Sequence, residues 1–200
     1  MKNFRRLSVI PALMVVFFTT MSFTLNGNKN ANSFRLQNLN IEVSGTSTLH
    51  DWHIKSGKGQ AEVNFVLAAD KLTGIAGLNF SIPAESLKSG NSMMDNNTYK
   101  ALKTSQHKTI NYVLTSGSVV PVDGSTVQIK TSGKLTIAGT TKETDLVATA
   151  KYNAADKSYT VTGSKKIKMS QWGVKPPTVM MGTIKTGDDI TISFNAKVAK

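Results

Sequence analysis

Apolar and polar residues alternate with a period of two through most of this chain, and that period constrains the fold more than any other feature. Val127, Ile129, Thr131, Gly133, Leu135 and Ile137 fall on one face of an extended segment, with Gln128, Lys130, Ser132, Lys134 and Thr136 on the other. Successive side chains of a strand point to opposite faces, so the pattern predicts a strand with one buried and one wet face. The rhythm returns in Ala61, Val63, Phe65, Leu67, in Leu72, Gly74, Ala76, Leu78, Phe80, Ile82, and in Ile110, Tyr112, Leu114, Ser116. Leu146, Ala148, Ala150, Tyr152, then Tyr159, Val161, Gly163, then Ile190, Ile192, Phe194, Ala196, Val198 continue it.

Turn chemistry separates these runs. Asp123-Gly124 carries a two-residue hairpin signal, Ala138-Gly139-Thr140 and Ala155-Asp156-Lys157 suit tight links, and Gly187-Asp188-Asp189 precedes the last run. Short hairpins and no break between domains predict an all-β fold, a closed antiparallel β-barrel of about eight strands. The inward faces mix Phe65, Phe80, Tyr112 and Phe194 with Gly74, Ala76, Gly133, Ala148 and Gly163. Such a mixture fits a ligand cavity or a solidly packed interior, and composition does not choose between them.

Two stretches lose the alternation. Residues 83–103 read as a short helical insertion, with one turn across residues 86–90 and Asp95 as the cap of a helix that turns Tyr99 and Leu102 inward. Residues 169–186 hold Trp172, Pro176, Pro177, Met180 and Met181, and read as a loop or cap because paired prolines cannot continue a central strand.

Residues 1–27 differ in kind. Lys2, Arg5 and Arg6 precede an apolar run, the pattern of a secretory signal peptide, with an uncleaved anchor as the alternative. Residues 28–35 read as a polar linker and 36–200 as one periplasmic or secreted domain. The chain has no cysteine, which excludes disulfides, thiolate metal sites, a cysteine nucleophile and a lipoprotein anchor. Its formal charge of +12 falls to about +9 without the leader's cations. Lys130, Lys134, Lys151, Lys166 and Lys168 sit on outward strand faces. Nucleic-acid binding would need aromatics interleaved with those cations, and none are. A weak contact with an anionic membrane surface fits them better.

Several separated motifs then agree. Gly45-Thr46-Ser47-Thr48-Leu49-His50-Asp51-Trp52, Ser86-Leu87-Lys88-Ser89-Gly90, Met94-Asp95, Ala101-Leu102-Lys103, the run from Gly133 to Lys142, Met169 to Thr178 and Lys185-Thr186-Gly187-Asp188 occur in an order and spacing that resembles the YceI-like family. The resemblance covers about residues 38–197. It departs from the family pattern at Gln106-His107-Lys108, where an aromatic-Pro pair is usual. It implies a lipocalin-like barrel, exported to the periplasm, that holds a long-chain isoprenoid or other lipid in its interior. It does not identify the ligand.

On that reading Phe65, Leu78, Phe80, Tyr112, Leu114, Ile129, Leu135 and Phe194 form the ligand wall. Trp52 either plugs a barrel end or gates the ligand. Trp172, with Pro176, Pro177 and Met180, forms a lid or a fixed plug. His50 and His53 lie on opposite faces of an extended segment, so they cannot grip one metal ion together. Ser105-x-x-Lys108 and Lys185-Thr186-Gly187 match fragments of penicillin-binding enzymes, but no Ser-Asp-Asn accompanies them. The residues make no case for catalysis, a cofactor or a metal. The competing class is a structural or stress-response adaptor with a packed barrel. Monomer and homodimer both remain open.

Overall fold

The computed structural model describes residues 31–200. The proposed signal peptide or anchor therefore lies outside the described residues. Ten strands follow in order: β1 Ala31–Ser47, β2 Trp52–Ser56, β3 Gln60–Ala68, β4 Lys71–Pro83, β5 Thr109–Pro121, β6 Thr126–Ile137, β7 Thr140–Asn153, β8 Ser158–Lys168, β9 Thr178–Val179 and β10 Ile184–Ala199. One helix, α1 Ser92–Leu102, interrupts them between β4 and β5. Sequential antiparallel pairing runs β1-β3-β4-β5-β6-β7-β8-β10, and β10 pairs back onto β1, closing an eight-stranded barrel. The short β2 and β9 extend one end of it, on β1 and β10 respectively.

Closure leaves no exposed sheet edge along most of the ring. One ladder is incomplete. β7 and β8 pair from Ala148↔Gly163 to Asn153↔Ser158, so residues 140–147 and 164–168 are not paired with each other. A turn over Met169–Trp172 follows β8 at the end of this seam, and Gly173 faces Thr140 there.

Three differences from the sequence reading share one cause. Residues 31–35, read as linker, are the start of β1 and pair with β3, with Phe34 buried. A register shift between Leu36 and Asn38 moves the inward set from Phe34 and Leu36 to Leu39 and Ile41, which hides the period of two. In β4, register shifts against Asn64/Phe65 and Val66/Leu67 turn Ile75 inward and leave Ala76 exposed. A further shift, between Leu114 and Ser116, leaves Ser116 exposed rather than inward. Each bulged residue inverts the parity of everything beyond it.

Turns depart too. The β6–β7 link is a two-residue turn with Ala138 and Gly139 both at positive φ, and the β3–β4 link uses Ala69 and Asp70 the same way. Between β5 and β6 the connection is longer. Asp123 accepts hydrogen bonds from the Ser125 and Thr126 amides, and Gly124 is not at positive φ.

The helix is capped by Asn91, not Asp95. The Asn91 side chain accepts from the Met93 and Met94 amides at 3.0 and 3.1 Å, and Lys103 closes the other end in a left-handed conformation. The turn expected across residues 86–90 is instead a 3₁₀ turn at Ala84–Ser86, after which Lys88 makes a bridge to Lys55 of β2.

Candidate functional site

The two ends of the barrel are built differently. At the far end, Phe34, Phe65 and Tyr159 meet with ring centroids 5.3–5.6 Å apart, and Tyr152 adds a further contact to Tyr159 at 5.1 Å. Val63, Leu72, Ile129 and Val198 complete this apolar floor. Burial with edge-on aromatic packing makes it the rigid part of the interior.

Above the floor the interior is hollow. A cavity of about 790 Å³ extends from Phe65 and Ile129 up to the opposite end, and its wall is overwhelmingly apolar. That volume falls within the range of small-molecule sites. The interior is therefore not packed solid.

Most of the expected wall lines this cavity: Phe65, Leu78, Phe80, Tyr112, Ile129, Leu135 and Phe194, with Trp52 and Trp172. Leu114 does not. It packs, half-buried, against the floor cluster beside the β5 bulge. Met180 does not either; it projects to solvent at 72% exposure, next to a fully exposed Met181. Both methionines hold positive φ in a short turn, which aims their side chains away from the interior.

Both tryptophans stand in the cavity wall with their indole N–H groups satisfied. Trp52 is buried beneath Gly45, where a Cβ would strike its ring, and its indole N–H donates to the Thr46 carbonyl at 3.0 Å. Trp172 is 4% exposed and donates to the Leu135 carbonyl at 3.1 Å. A buried indole with its N–H satisfied has little freedom to swing.

The mouth is assembled by segments that carry no period-two pattern. Loop residues Leu49 and His50, helix residues Met93, Met94 and Asn97, and Pro177 with Val179 all line it. Leu49 and Met93 remain largely exposed. The loop after β1 is tied across to β10: the Thr48 amide donates to the Lys185 carbonyl at 3.0 Å, and the Lys185 amide donates to Thr48 Oγ1 at 3.2 Å.

Polar groups near the mouth are engaged elsewhere. His53 points outward to Glu42 at 2.8 Å, and Lys55 reaches the same carboxylate at 3.2 Å. Hydrogen bonds from Lys55 and then His53 hold Glu42 below its usual range. His50 Nδ1 lies 2.7 Å from its neighbour's backbone oxygen, that of Asp51. His107, in the segment where the family pattern is broken, is half-buried with its ring over Gly139. Deeper, the Tyr112 hydroxyl lies 3.0 Å from Thr131 Oγ1 and donates to the Thr144 carbonyl at 3.3 Å. Burial pushes that phenol up, so it stays protonated and polar without charge.

Helix α1 is held over the mouth by Asp95 and Tyr99. Asp95 accepts from both the Ser89 hydroxyl and the Ser89 amide at 2.7 Å, with Lys88 at 3.7 Å. The Ser89 hydroxyl, then its amide, and then the Lys88 charge lower the Asp95 carboxyl below its usual range, against the opposing effect of burial. The Tyr99 hydroxyl lies 3.0 Å from both the Glu85 and the Leu87 carbonyls, which share its one proton. A lowered folded pKa stabilises the fold above the unfolded value and loses that effect as pH falls through the folded one. Asp95→Asn is therefore expected to lower Tm by several degrees at pH 7, with the gap to wild type closing below about pH 4. Thermal melts across that range check this; a gap that persists unchanged into strong acid would show that charge plays no part.

With the cavity described, relatives become informative. Residues 23–198 match the YceI-like domain. The chain belongs to the YceI-like family. BcnA of Burkholderia cenocepacia shares this YceI-like protein's fold with a TM-score of 0.63 at 20% identity, covering 81% of this chain and 96% of that one. A polyisoprenoid-binding domain from Saccharophagus degradans, implicated in plant cell wall breakdown, aligns with a TM-score of 0.60 at 12% identity, covering 82% and 97%. The YceI protein of Campylobacter jejuni aligns at 0.55 with 20% identity, covering 72% and 82%. No curated protein matches. At these identities the solved structures speak for the fold alone.

Sequence reasoning missed part of the YceI-like cavity. Ile41, Ile54 and Met94 line it from β1, β2 and α1, and Lys165 and Ile167 from β8, while Leu102 lines it as its expected inward position implies. For β8 the signal was present, since residues 165 and 167 continue the phase of Tyr159, Val161 and Gly163.

Proposed function

We propose that this protein is a non-catalytic, exported lipid carrier that holds a polyisoprenoid or similar long apolar chain inside its barrel. The carrying observation is the apolar cavity of about 790 Å³, floored by aromatics and opening between α1 and the β1–β2 loop. Each methylene transferred from water into such a wall contributes about 0.8 kcal/mol, so affinity grows with chain length. Membership of the YceI-like family and the polyisoprenoid-binding neighbour support the same ligand class. The packed-adaptor alternative fits the hollow interior poorly. Export is supported by the leader-like residues 1–27, and a carrier in an aqueous compartment has a use for an enclosed apolar interior.

Both tryptophans of the chain line the cavity, so their emission reports its contents. Gentle purification followed by native mass spectrometry is expected to find a lipid adduct. Adding geranylgeraniol to delipidated protein is expected to change tryptophan emission saturably. A bare mass together with unchanged emission would sink the proposal.

Contact with anionic membrane belongs to the same reading. Lys130, Lys134, Lys151 and Lys166 are exposed on outward strand faces. Co-sedimentation with phosphatidylglycerol vesicles, lost at high salt, is the expected behaviour. Equal binding to neutral vesicles would remove the electrostatic contact.

A further inference from the structure

Lys165 is out of place in the apolar wall. It follows the luminal phase of β8: Phe194 packs over Gly163 on one side and Ile167 is buried on the other. Its registered partner on β10 is Ile192, itself a cavity residue. Lys165 is half-buried and is the one lysine or arginine among the residues lining the cavity. Among the described residues it forms no ion pair, whereas Lys168, three positions on and facing outward, pairs with Asp189 at 2.9 Å. No acid lines the interior near it; Asp51, the one acidic lining residue, is exposed at the mouth.

A cation on an apolar wall is costly unless something compensates it. The β7–β8 seam supplies part of the answer. Extending the register beyond Ala148↔Gly163 would set Lys165 opposite Leu146, but no ladder forms there. Beside this gap Lys165 stays half-buried rather than fully enclosed. An occupied barrel expels water from the lumen, and electrostatic attraction strengthens as the local dielectric falls. Thr131 and Tyr112, polar side chains of the same wall on β6 and β5, are already hydrogen-bonded to each other and to β7. Lys165 is left as the one cation of the cavity wall, with no ion-pair partner among the described residues.

We propose that Lys165 anchors the headgroup of the bound lipid, and that the ligand is an amphiphile with an anionic head, a carboxylate or a phosphate, rather than a neutral chain. The inference rests on the lipid-carrier reading and adds the chemistry of the head to it. The tail occupies the apolar wall while the head meets Lys165 beside the seam.

The test uses the purified protein, delipidated, with four probes: palmitate, hexadecanol, geranylgeranyl phosphate and geranylgeraniol. Wild type is expected to bind at least one acid about tenfold or more tightly than the alcohol with the same chain. Which acid is preferred separates a carboxylate head from a phosphate head, and either preference supports the proposal. Lys165→Met, which keeps the length of the side chain and removes its charge, is expected to lose the preference and bind acid and alcohol equally. Lys165→Arg is expected to keep the preference. Equal binding of acid and alcohol by wild type overturns the headgroup assignment and leaves the carrier reading intact, as does an undiminished preference in Lys165→Met. Failure of wild type to bind any of the four overturns the carrier reading and the headgroup with it.

Discussion

Phe80→Asp is expected to abolish retention of a long apolar chain while leaving the barrel folded. Phe80 of β4 is registered against Ala61 on one side and Tyr112 on the other, and it is only partly buried. Its ring packs against both upper apolar groups, the one around Trp52 and Ile54 and the one around Leu135 and Trp172. That position sets it in the cavity wall where the two upper apolar groups meet. An aspartate there keeps water in an empty cavity at small cost. It would have to be desolvated without a partner once a chain entered, which costs several kcal/mol. The expected loss in affinity is about a hundredfold or more. Phe80→Leu, which conserves apolar character, is expected to bind nearly as wild type. Circular dichroism establishes that the aspartate variant is folded, and fluorescence titration with geranylgeraniol reads the affinity. A folded Phe80→Asp protein that binds like wild type would contradict the cavity as the ligand site.

How much of this was legible in the sequence depends on strand parity. β6 was readable throughout because no bulge interrupts it: every residue from Thr126 to Ile137 pairs in register with β7. β1 was not, because the shift at Leu36/Asn38 splits its apolar residues into two sets of opposite phase. The wall residues on β3, β5, β6 and β10 were found by period alone where they lay on the near side of a bulge, as Tyr112 does and Ser116 does not. The mouth was illegible for another reason. Leu49, Met94 and Pro177 meet through chain segments distant in sequence, brought together by caps and tertiary hydrogen bonds such as those of Asn91 and Thr48. No local pattern encodes that convergence. The lipid class came from the family resemblance, and the hollow interior from the structure.

Glycine placement carries the same lesson to a measurable end. Gly124, in the Asp-Gly pair that reads as an obligatory turn glycine, is not at positive φ, and a Cβ added there meets nothing within 4 Å. Gly133 looks in sequence like an ordinary member of a strand face. A Cβ there would lie 2.5 Å from the Val113 carbonyl oxygen and 2.6 and 2.7 Å from Cζ and the hydroxyl of Tyr112. The phenol could swing away only by giving up Thr131 and Thr144, and the carbonyl belongs to the paired β5 backbone and cannot move cheaply. Gly133→Val is therefore expected to destabilise by about 4 kcal/mol, combining overpacking with the lost hydrogen bonds, and to lower Tm by about 10 °C or more. Gly124→Ala is expected to change stability by less than about 0.5 kcal/mol. Thermal or urea unfolding of the two variants reads both. If Gly124→Ala proved the more damaging, the close approach of Tyr112 to β6 would be wrong, and with it the position of the phenol in the cavity wall.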